Sequence, residues 1–379
     1  MSASTQASIS QAGAHLAEPD GDFQVLHEFV EAARANLPGN IWDYLVGATE
    51  TETTMRRNRL ALDSLAFRPR VLRDVSKVDV SHSFLGKKMR LPVMFAPVGS
   101  LESFHPEGGA EAARAATAFG VPIVVSSVTK PGLEEVAQAS GAGRRIFQLY
   151  VRGGDEFVDD HVNRAVANGY EAFCITVDTQ AYSRRERDIS RRFVKPWRAA
   201  ATGHSDQAGF NWDKIKRFKD KHTVPLILKG IATAEDAAIA CEHGVDVVWV
   251  SNHGGRQLDH GRGAMDVLPE VLEAIRGRAR TIVDGSFSRG TDVLKAIALG
   301  ADSVAIGRLY CYGLAAGGAK TLVQLMELLE HEMGVDLALI GCAALAQLNR
   351  AHLHAAPPVY NPHVHSAFPL MDVYTPHRK

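Results

Sequence analysis

The sequence of 379 residues predicts an α/β protein whose main part is a (β/α)8 barrel preceded by a helical segment. From Leu91 onward, short apolar runs rich in β-branched residues alternate eight times with amphipathic segments. This alternation predicts a parallel sheet covered by helices. A composition of 46% hydrophobic and 22% charged residues is typical of a globular protein.

The eight apolar runs are the predicted barrel strands. They are residues 91–97, 122–127, 145–150, 171–178, 225–230, 246–252, 280–285 and 303–308. Three intervening helical patterns, at residues 108–120, 233–244 and 288–300, end on glycine, as helix C-termini prefer. A doubly wound sheet is the alternative, but it needs a GxGxxG turn after the first strand, and APVGSLESF lacks one.

Less regular segments flank the barrel, which we predict to span residues 91–354. Residues 23–90 are predicted to form an N-terminal helical cap segment. Residues 1–22 are rich in Ser, Ala, Gln and Gly, which predicts disorder. Residues 355–379 are rich in Pro and His without periodicity, which predicts an irregular arm that could lie on a neighbouring subunit.

Charge and composition argue against several partners. A net charge of -1 and a pI of about 7 give no support to nucleic acid or an anionic membrane as a partner. No apolar stretch approaches the roughly 20 residues needed to cross a bilayer. The first Lys or Arg is Arg34, and the four cysteines form no CxxC pair, so we expect a cytoplasmic protein with reduced thiols.

The side chains at the strand ends predict a catalytic mouth. In a barrel the carboxyl ends of the strands meet on one face, where barrel active sites are built. Each of the eight ends carries a polar side chain or a glycine that lets the backbone approach a ligand closely. In chain order these are Pro97, Val98 and Gly99; Ser126; Gln148 and Tyr150; Thr176 and Asp178; Lys229; Ser251 and His253; Asp284; and Gly307 with Arg308.

The last two strand ends, DGSFSRG and IGR, together predict a phosphate site. Barrels often bind phosphate there through backbone N–H groups and a helix N-terminus. Gly285 and Gly307 let the backbone approach a ligand closely, although one such glycine alone could mark a simple turn. Ser286 and Ser288 offer hydroxyls, and Arg308 offers a guanidinium that matches phosphate oxygens.

Charged residues at the other strand ends predict acid–base chemistry on an anionic substrate. Lys229 ends an apolar strand, so we expect its ammonium group in the mouth, where it can stabilise negative charge on a cofactor ring. His253 is the best candidate for a general base, and Asp178 can orient its imidazole. Arg185 and Arg256 can clamp a substrate carboxylate.

These motifs resemble the FMN-dependent α-hydroxy acid oxidases and dehydrogenases, a family that includes glycolate oxidase, lactate oxidase and mandelate dehydrogenase. The resemblance runs from about residue 23 to 355 and rests on SNHGGRQLD, QLY, TVDT, RRE, LKG and RGTDV. It implies FMN as the cofactor, oxidation of an L-2-hydroxy acid to the 2-keto acid, and a homotetramer.

The resemblance also implies a role for each candidate residue. His253 corresponds to the catalytic base, Asp178 to its partner, and Tyr150 to the group that stabilises charge at the substrate oxygen. The substrate carboxylate is expected on Tyr44, Arg185 and Arg256. The expected FMN contacts are Pro97, Val98 and Gly99 near N5; Ser126, Gln148 and Thr176 on the ring edge; Lys229 near N1 and O2; Ser251 near the flavin; Asp284 at the ribityl chain; and Gly285, Ser286, Ser288, Gly307 and Arg308 at the phosphate.

The chain departs from the family pattern at both ends of the predicted site. Ser288 stands where the family has a phosphate-binding arginine, so either FMN is held less tightly or Arg289 supplies the charge. Gly99 and Val128 are smaller than their glycolate oxidase counterparts, and Tyr182 replaces a pocket-wall leucine. These changes predict a bulky substrate side chain, aromatic or long aliphatic.

Several alternatives stay open at this point. We favour oxygen as the electron acceptor, but a quinone, a carrier protein or a lactate-type monooxygenase reaction fits the same motifs. A flavin-dependent isomerase is a remote alternative, because it would not need two arginines, a tyrosine and a histidine around a carboxylate. An oxidoreductase that acts on a peptide or a natural product is a further alternative. Metal binding is not predicted, because the tail histidines His352, His354, His363 and His365 lack a supporting carboxylate shell.

Overall fold

Eight parallel strands close into a barrel in a computed structural model that describes residues 21–195 and 204–373. Each strand pairs with its neighbours in chain order, and the eighth pairs with the first. The strands are β1 (Val93–Phe95), β2 (Ile123–Ser126), β3 (Arg145–Leu149), β4 (Phe173–Thr176), β5 (Leu226–Ile231), β6 (Val247–Val250), β7 (Arg280–Val283) and β8 (Ser303–Ile306). The predicted (β/α)8 barrel is confirmed.

Each observed strand falls on one predicted run, and most are shorter than predicted. The residues that end the predicted runs, such as Asp178 and Asn252, have left the strand ladder and belong to the loops. Strand β5 instead continues to Ile231, because an irregularity in its pairing with β6 lies between Lys229 and Ile231. The polar strand ends are therefore at the rim of the barrel.

Helices surround the barrel and precede it. They are α1 (Leu26–Asn36), α2 (Gly39–Val46), α3 (Thr53–Asp63), α4 (Gly108–Phe119), α5 (Leu133–Ser140), α6 (Asp155–Ala167), α7 (Glu186–Ser190), α8 (His204–Ala208), α9 (Trp212–Lys221), α10 (Ala234–Glu242), α11 (Ala264–Ile275), α12 (Gly290–Leu299), α13 (Arg308–Ile340) and α14 (Leu370–Val373). Helix α13 is kinked at Gly317 and Gly318, whose backbone is not helical. Within the described ranges, no helix combines the length and apolarity needed to span a bilayer.

The barrel interior is filled by apolar side chains, which include the fully buried Trp249. A hairpin of two short strands, His82–Phe84 and Lys87–Met89, packs Phe84 and Met89 against this interior cluster. A larger apolar core lies between the barrel and its helices. The barrel is therefore a packed scaffold, and a ligand must bind at its rim.

The described segments before and after the barrel pack against each other. The strand Leu65–Phe67 pairs antiparallel with Leu353–Ala355, which joins the N-terminal segment to the tail. Phe368 in the tail is only 1% exposed and meets the ring of His27 on α1. The described part of the tail therefore packs on its own chain, where burial of Phe368 stabilises it, and its contact with a neighbouring subunit stays a prediction. Residues 1–20 of the predicted disordered segment lie outside the described ranges.

Helix α3 is fixed to the barrel by a buried ion pair and a partly buried pair of amides. Arg59 donates to both carboxylate oxygens of Asp292 on α12, at 2.8 and 2.7 Å, and both residues are nearly inaccessible to solvent. Asn58 and Asn252 exchange amide hydrogen bonds of 2.8 and 2.7 Å. These contacts hold α3 over the loop that follows β6.

We predict that Asp292→Asn destabilises the protein by up to about 3–5 kcal/mol, because it leaves the buried Arg59 charge with the partly buried Asp63 alone as counterion. Urea unfolding followed by circular dichroism measures the change. The matched control is Asp220→Asn, which breaks the exposed ion pair with Lys216 and should alter stability by less than about 0.5 kcal/mol. Equal effects of the two substitutions would show that the buried pair does not anchor α3.

Candidate active site

The imidazole of His253 is held between a carboxylate and a phenol at the barrel rim. Its Nδ1 lies 3.0 Å from Oδ1 of Asp178, and its Nε2 lies 3.2 Å from the hydroxyl of Tyr150. Its backbone N–H donates to Oγ of Ser251 at 3.0 Å. Because an ionised carboxylate can only accept, Nδ1 carries the proton and Nε2 keeps a lone pair. The arrangement can therefore accept a proton at Nε2.

Glycines make this arrangement possible at two points. Gly255 has φ +78°, and a Cβ there would lie 2.5 Å from the backbone nitrogen of Met55 on α3. Gly230 has φ +114°, and a Cβ there would lie 2.7 Å from Cβ of Asp178. Glycine is thus required where α3 passes over the loop and where Asp178 packs against the end of β5.

Burial and charge set the protonation of this pair. Burial lowers the pKa of His253, and although the Asp178 carboxylate opposes this effect, the positive charge of Lys229 adds to it. Burial alone would raise the pKa of Asp178, but the neighbouring His253 and Lys229 hold it below its usual value. At neutral pH the pair is therefore a neutral imidazole beside a carboxylate, which is the form that a general base requires.

Lys229, Ser251 and Asp284 form a buried network across the ends of β5, β6 and β7. The Lys229 ammonium donates to Oγ of Ser251 at 2.8 Å and lies 3.2 Å from Asp284. Asp284 also accepts from Ser251 at 2.8 Å and from the indole of Trp249 at 3.1 Å. Burial works to lower the pKa of Lys229, but Asp284 and Asp178 outweigh it and raise that pKa. Lys229 is therefore a fixed cation at the rim.

Arg185 and Arg256 place two positive charges close together near His253. Arg256 donates to the carbonyl oxygens of Tyr44 and Gly47, both at 2.7 Å, and its guanidinium lies 4.9 Å from the centre of the Tyr44 ring. Arg185 donates to Gln257 at 3.3 Å. Burial and the charge of Arg256 lower the pKa of Arg185 to about 10. Two cations in this environment favour an anionic ligand.

Arg308, the first residue of α13, lies in the same cleft beside Arg256. Its guanidinium donates to the carbonyl oxygens of Leu45, Gly47 and Gly254 at 3.2, 2.8 and 3.1 Å, and the Gly47 oxygen also accepts from Arg256. Burial and the charge of Arg256 lower the pKa of Arg308 to about 10. The N–H groups of the first turn of α13 lack intrahelical acceptors, as at every helix start. This helix start, with the guanidinium beside it, can therefore hold a phosphate.

Ser288 does not restore the charge of the arginine that it replaces. Its hydroxyl donates to the carbonyl oxygen of Ser286 at 3.2 Å, and its backbone N–H donates to Asp292 at 2.9 Å. Asp292 also accepts the N–H of Arg289 at 3.1 Å. The N–H groups of Ser288 and Arg289 therefore donate to a carboxylate of the protein itself. Fewer N–H groups of this loop can donate to a phosphate than the sequence predicts.

The Arg289 side chain is paired with other parts of the protein in this structure. Its guanidinium forms an ion pair of 2.5 Å with Glu332 and donates to the carbonyl oxygen of Ala367 in the tail at 3.3 Å. The Arg289 side chain is therefore held by α13 and the tail, and a role for its charge in FMN binding stays a prediction.

One cleft brings most of the predicted site residues together. It encloses about 1090 Å³, with the solvent at its mouth included. The predicted residues in its wall are Tyr44, Pro97, Val98, Gly99, Tyr150, Arg185, Lys229, His253, Arg256, Asp284, Gly285, Ser286, Ser288, Gly307 and Arg308. Five predicted residues are outside this wall and mostly buried beneath it: Ser126, Gln148, Thr176, Asp178 and Ser251.

The buried residues beneath the cleft fit a flavin ring. Gln148 is fully buried and donates to Thr176 at 2.9 Å, but its Oε1 has no partner among the described residues. A buried amide oxygen without a donor is rare in proteins and indicates a missing ligand or water. The N–H of a flavin pyrimidine is such a donor, and Lys229 and Arg308 supply the charges that its ring and phosphate require.

Several wall residues were not predicted from the sequence. Val364 comes from the tail, in which we predicted no site residue. Phe104 and Tyr312 belong to a loop and a helix that the motifs do not include. Lys195 lines an adjoining recess, and its one sequence signal was a lysine in the apolar run FVKPW shortly after Arg185.

Known proteins resemble this chain over most of its length. The family model for FMN-dependent dehydrogenase matches residues 33–355. Glycolate oxidase 5 of Oryza sativa subsp. japonica is 38% identical over 355 residues, which cover 88% of this chain and 96% of the relative. L-lactate oxidase of Nostoc sp. is 35% identical over 355 residues, with 87% and 97% covered.

The solved structures agree with these relatives. A crystal structure of mandelate oxidase with (S)-2-phenylpropionate matches with a TM-score of 0.82 and 38% identity, and the match covers 88% of this chain and 99% of that one. The family match, the relatives and the base–cation geometry of the cleft lead to one conclusion. The chain belongs to the FMN-dependent dehydrogenase family, and it is an FMN-dependent enzyme that oxidises 2-hydroxy acids.

Proposed function

We propose that the enzyme oxidises an L-2-hydroxy acid with a bulky side chain to the 2-keto acid and passes the electrons to oxygen. The observation that carries this proposal is the position of His253, whose Nε2 lies 3.2 Å from the Tyr150 hydroxyl in a cleft that also contains Arg185 and Arg256. A base, a hydrogen-bonding phenol and two guanidinium groups thus surround one small volume.

The substrate carboxylate would bind to Arg185 and Arg256. Arg256 is already oriented by two backbone carbonyl oxygens, so its remaining donors can face a ligand. Tyr44 is expected to assist, but its hydroxyl now donates to the carbonyl oxygen of Gly99 at 3.0 Å. Binding of a carboxylate must therefore turn that hydroxyl away from Gly99.

His253 would then remove a proton from the bound substrate at Nε2. The proton comes from the hydroxyl group in a hydride mechanism, or from Cα in a carbanion mechanism, and the same geometry serves both. Asp178 stabilises the imidazolium ion formed in this step. When bound, FMN supplies the acceptor for the electron pair, and Lys229 would place a positive charge near its ring.

The space beside the cleft supports a bulky side chain. A second cavity of about 680 Å³, with its solvent mouth included, shares Tyr150, Arg185 and His253 with the cleft. We call it the side-chain recess, and its wall also contains Tyr182 and Lys195. The small residues Gly99 and Val128 line the main cleft and leave room there as well.

The proposal of oxygen as acceptor predicts fast reoxidation by air. Removal of two electrons and two protons from the substrate would reduce one O₂ to H₂O₂. We expect the yellow enzyme to bleach when a 2-hydroxy acid is added anaerobically, and stopped-flow mixing with oxygen should restore the colour at least as fast as turnover. If only a quinone restores the colour at that rate, the enzyme is a dehydrogenase. Recovery of a decarboxylated product with catalase present would identify a monooxygenase, because free H₂O₂ also decarboxylates 2-keto acids.

We predict that kcat/KM falls as the pH decreases through the pKa of His253, because only the neutral imidazole can accept a proton. Since that pKa is lowered, the acid limb should lie below pH 6.5. In Asp178→Asn the carboxylate that raises this pKa is lost, so the limb should move to lower pH and kcat should fall by about 100-fold or more. A full pH profile of both enzymes tests this. If the acid limb lies at the same pH in both enzymes, the assignment of Asp178 as the partner of His253 is contradicted.

We predict that Arg308→Met raises the Kd for FMN by about 10- to 100-fold, since a charge-assisted hydrogen bond contributes about 1.5–3 kcal/mol. Quenching of FMN fluorescence on titration of the apoenzyme gives Kd directly. Arg289→Met is the matched control and should leave Kd unchanged, because Arg289 binds Glu332. If Arg289→Met weakens FMN binding instead, the phosphate charge comes from Arg289.

We also propose a homotetramer in the cytoplasm. Val71 is 80% exposed and Leu72 is fully exposed, and such apolar side chains on a surface loop support contact with another subunit. All four cysteines are free thiols, which agrees with a reducing compartment. Light scattering after size-exclusion chromatography and cell fractionation test the two parts separately.

A further inference from the structure

Lys195 is a buried lysine that the proposed reaction does not use. It lies shortly after α7 and is only 5% exposed. Its ammonium group is 3.3 Å from Asp188 and 4.8 Å from the centre of the Tyr44 ring. The Arg256 guanidinium also lies over this ring. Lys195 is therefore a third cation beside the two arginines expected to hold the substrate carboxylate.

Basic groups outnumber acidic ones around Tyr44. Arg185, Arg256 and Lys195 are three basic side chains, whereas Asp188 is the one carboxylate that forms an ion pair with any of them among the described residues. A substrate carboxylate would pair with one of the two remaining basic groups. One basic group would still have no anion when a substrate with a neutral side chain is bound.

The wall of the side-chain recess also contains basic residues without acidic ones. Its basic residues are Arg152, Arg185 and Lys195, and no Asp or Glu is part of this wall. Polar groups such as Gln180 and Tyr182 complete it. A recess with this lining suits an anionic group better than a purely aliphatic chain.

Electrostatic repulsion around Lys195 also indicates that the recess favours an anion. Burial and the positive charges of Arg185 and Arg256 lower the pKa of Lys195 to about 6, although Asp188 opposes them. Its ammonium form is thus disfavoured while the recess contains no anion. An anion bound nearby would reverse this repulsion and stabilise the ammonium form.

We propose that Lys195 binds a second acidic group at the far end of the substrate side chain, so that the preferred substrates are L-2-hydroxy acids with a terminal carboxylate. This inference rests on the proposed function, because it assigns a chemical partner to the recess beside the catalytic groups. It narrows the bulky side chain to one that carries a negative charge.

The test compares two substrates of nearly equal shape, L-2-hydroxyglutarate and its neutral 5-amide, with the FMN-loaded enzyme. We expect kcat/KM to be at least tenfold higher for the dicarboxylate, mainly through a lower KM. In Lys195→Met this ratio should fall by at least tenfold. Lys214→Met is the control, because Lys214 forms a half-exposed ion pair with Asp155, and its ratio should equal that of the wild type.

The possible results separate this inference from the proposed function. If neither compound nor a simple 2-hydroxy acid bleaches the flavin, the proposed function fails. If the amide and simple acids are oxidised as well as the dicarboxylate, the proposed function stands and the inference is wrong. If Lys195→Met affects both substrates equally and lowers Tm, Lys195 is only a structural partner of Asp188. If Lys195→Met does not fold, Lys195→Gln takes its place. Its ratio of kcat/KM for the dicarboxylate to kcat/KM for the amide, compared with the wild-type ratio, then decides whether Lys195 binds the terminal carboxylate.

Discussion

The hydrogen bond between Asp178 and His253 is the interaction on which the rest of the site depends. It joins the ends of β4 and β6, which are separated in the barrel by β5. The two side chains can meet because Gly230, at the irregular end of β5, leaves space for Asp178. Once His253 is oriented in this way, its Nε2 faces Tyr150, and the position at which a substrate can lose a proton is fixed.

The N-terminal segment completes the site by supplying hydrogen-bond acceptors. The last carbonyl groups of α2 have no intrahelical partners, and they carry the negative end of the helix dipole. Arg256 and Arg308 donate to the carbonyl oxygens of Tyr44, Leu45 and Gly47 at this helix end. This explains how two buried guanidinium groups are placed close together before any ligand is bound. The barrel alone would not hold them there.

The barrel, and the position of the candidate catalytic residues at its rim, could be predicted because each buried strand ends at the same face of the barrel. Polar residues that follow buried apolar runs must reach the same rim, so His253, Asp178 and Lys229 could be assigned from the sequence alone. Contacts between distant segments could not be predicted in this way. The position of Val364 depends on how the tail folds over α13, and the commitment of Arg289 to Glu332 depends on the packing of two helices. Neither leaves a periodic signal in the sequence.

The replacement of a phosphate-binding arginine by Ser288 can be understood from the way its loop is held. Arg59 binds Asp292 and also donates to the carbonyl oxygen of Ser286 at 3.2 Å, and Asp292 accepts the N–H of Ser288. A buried ion pair from α3 therefore orders this loop without help from a phosphate. Because less ordering entropy is lost when FMN binds to a loop that is already fixed, preorganisation can offset part of the attraction lost with the arginine charge. The N-terminal segment thus stabilises two parts of the cleft wall: Arg59 holds the loop of Ser286 and Ser288, and the α2 carbonyls hold Arg256 and Arg308.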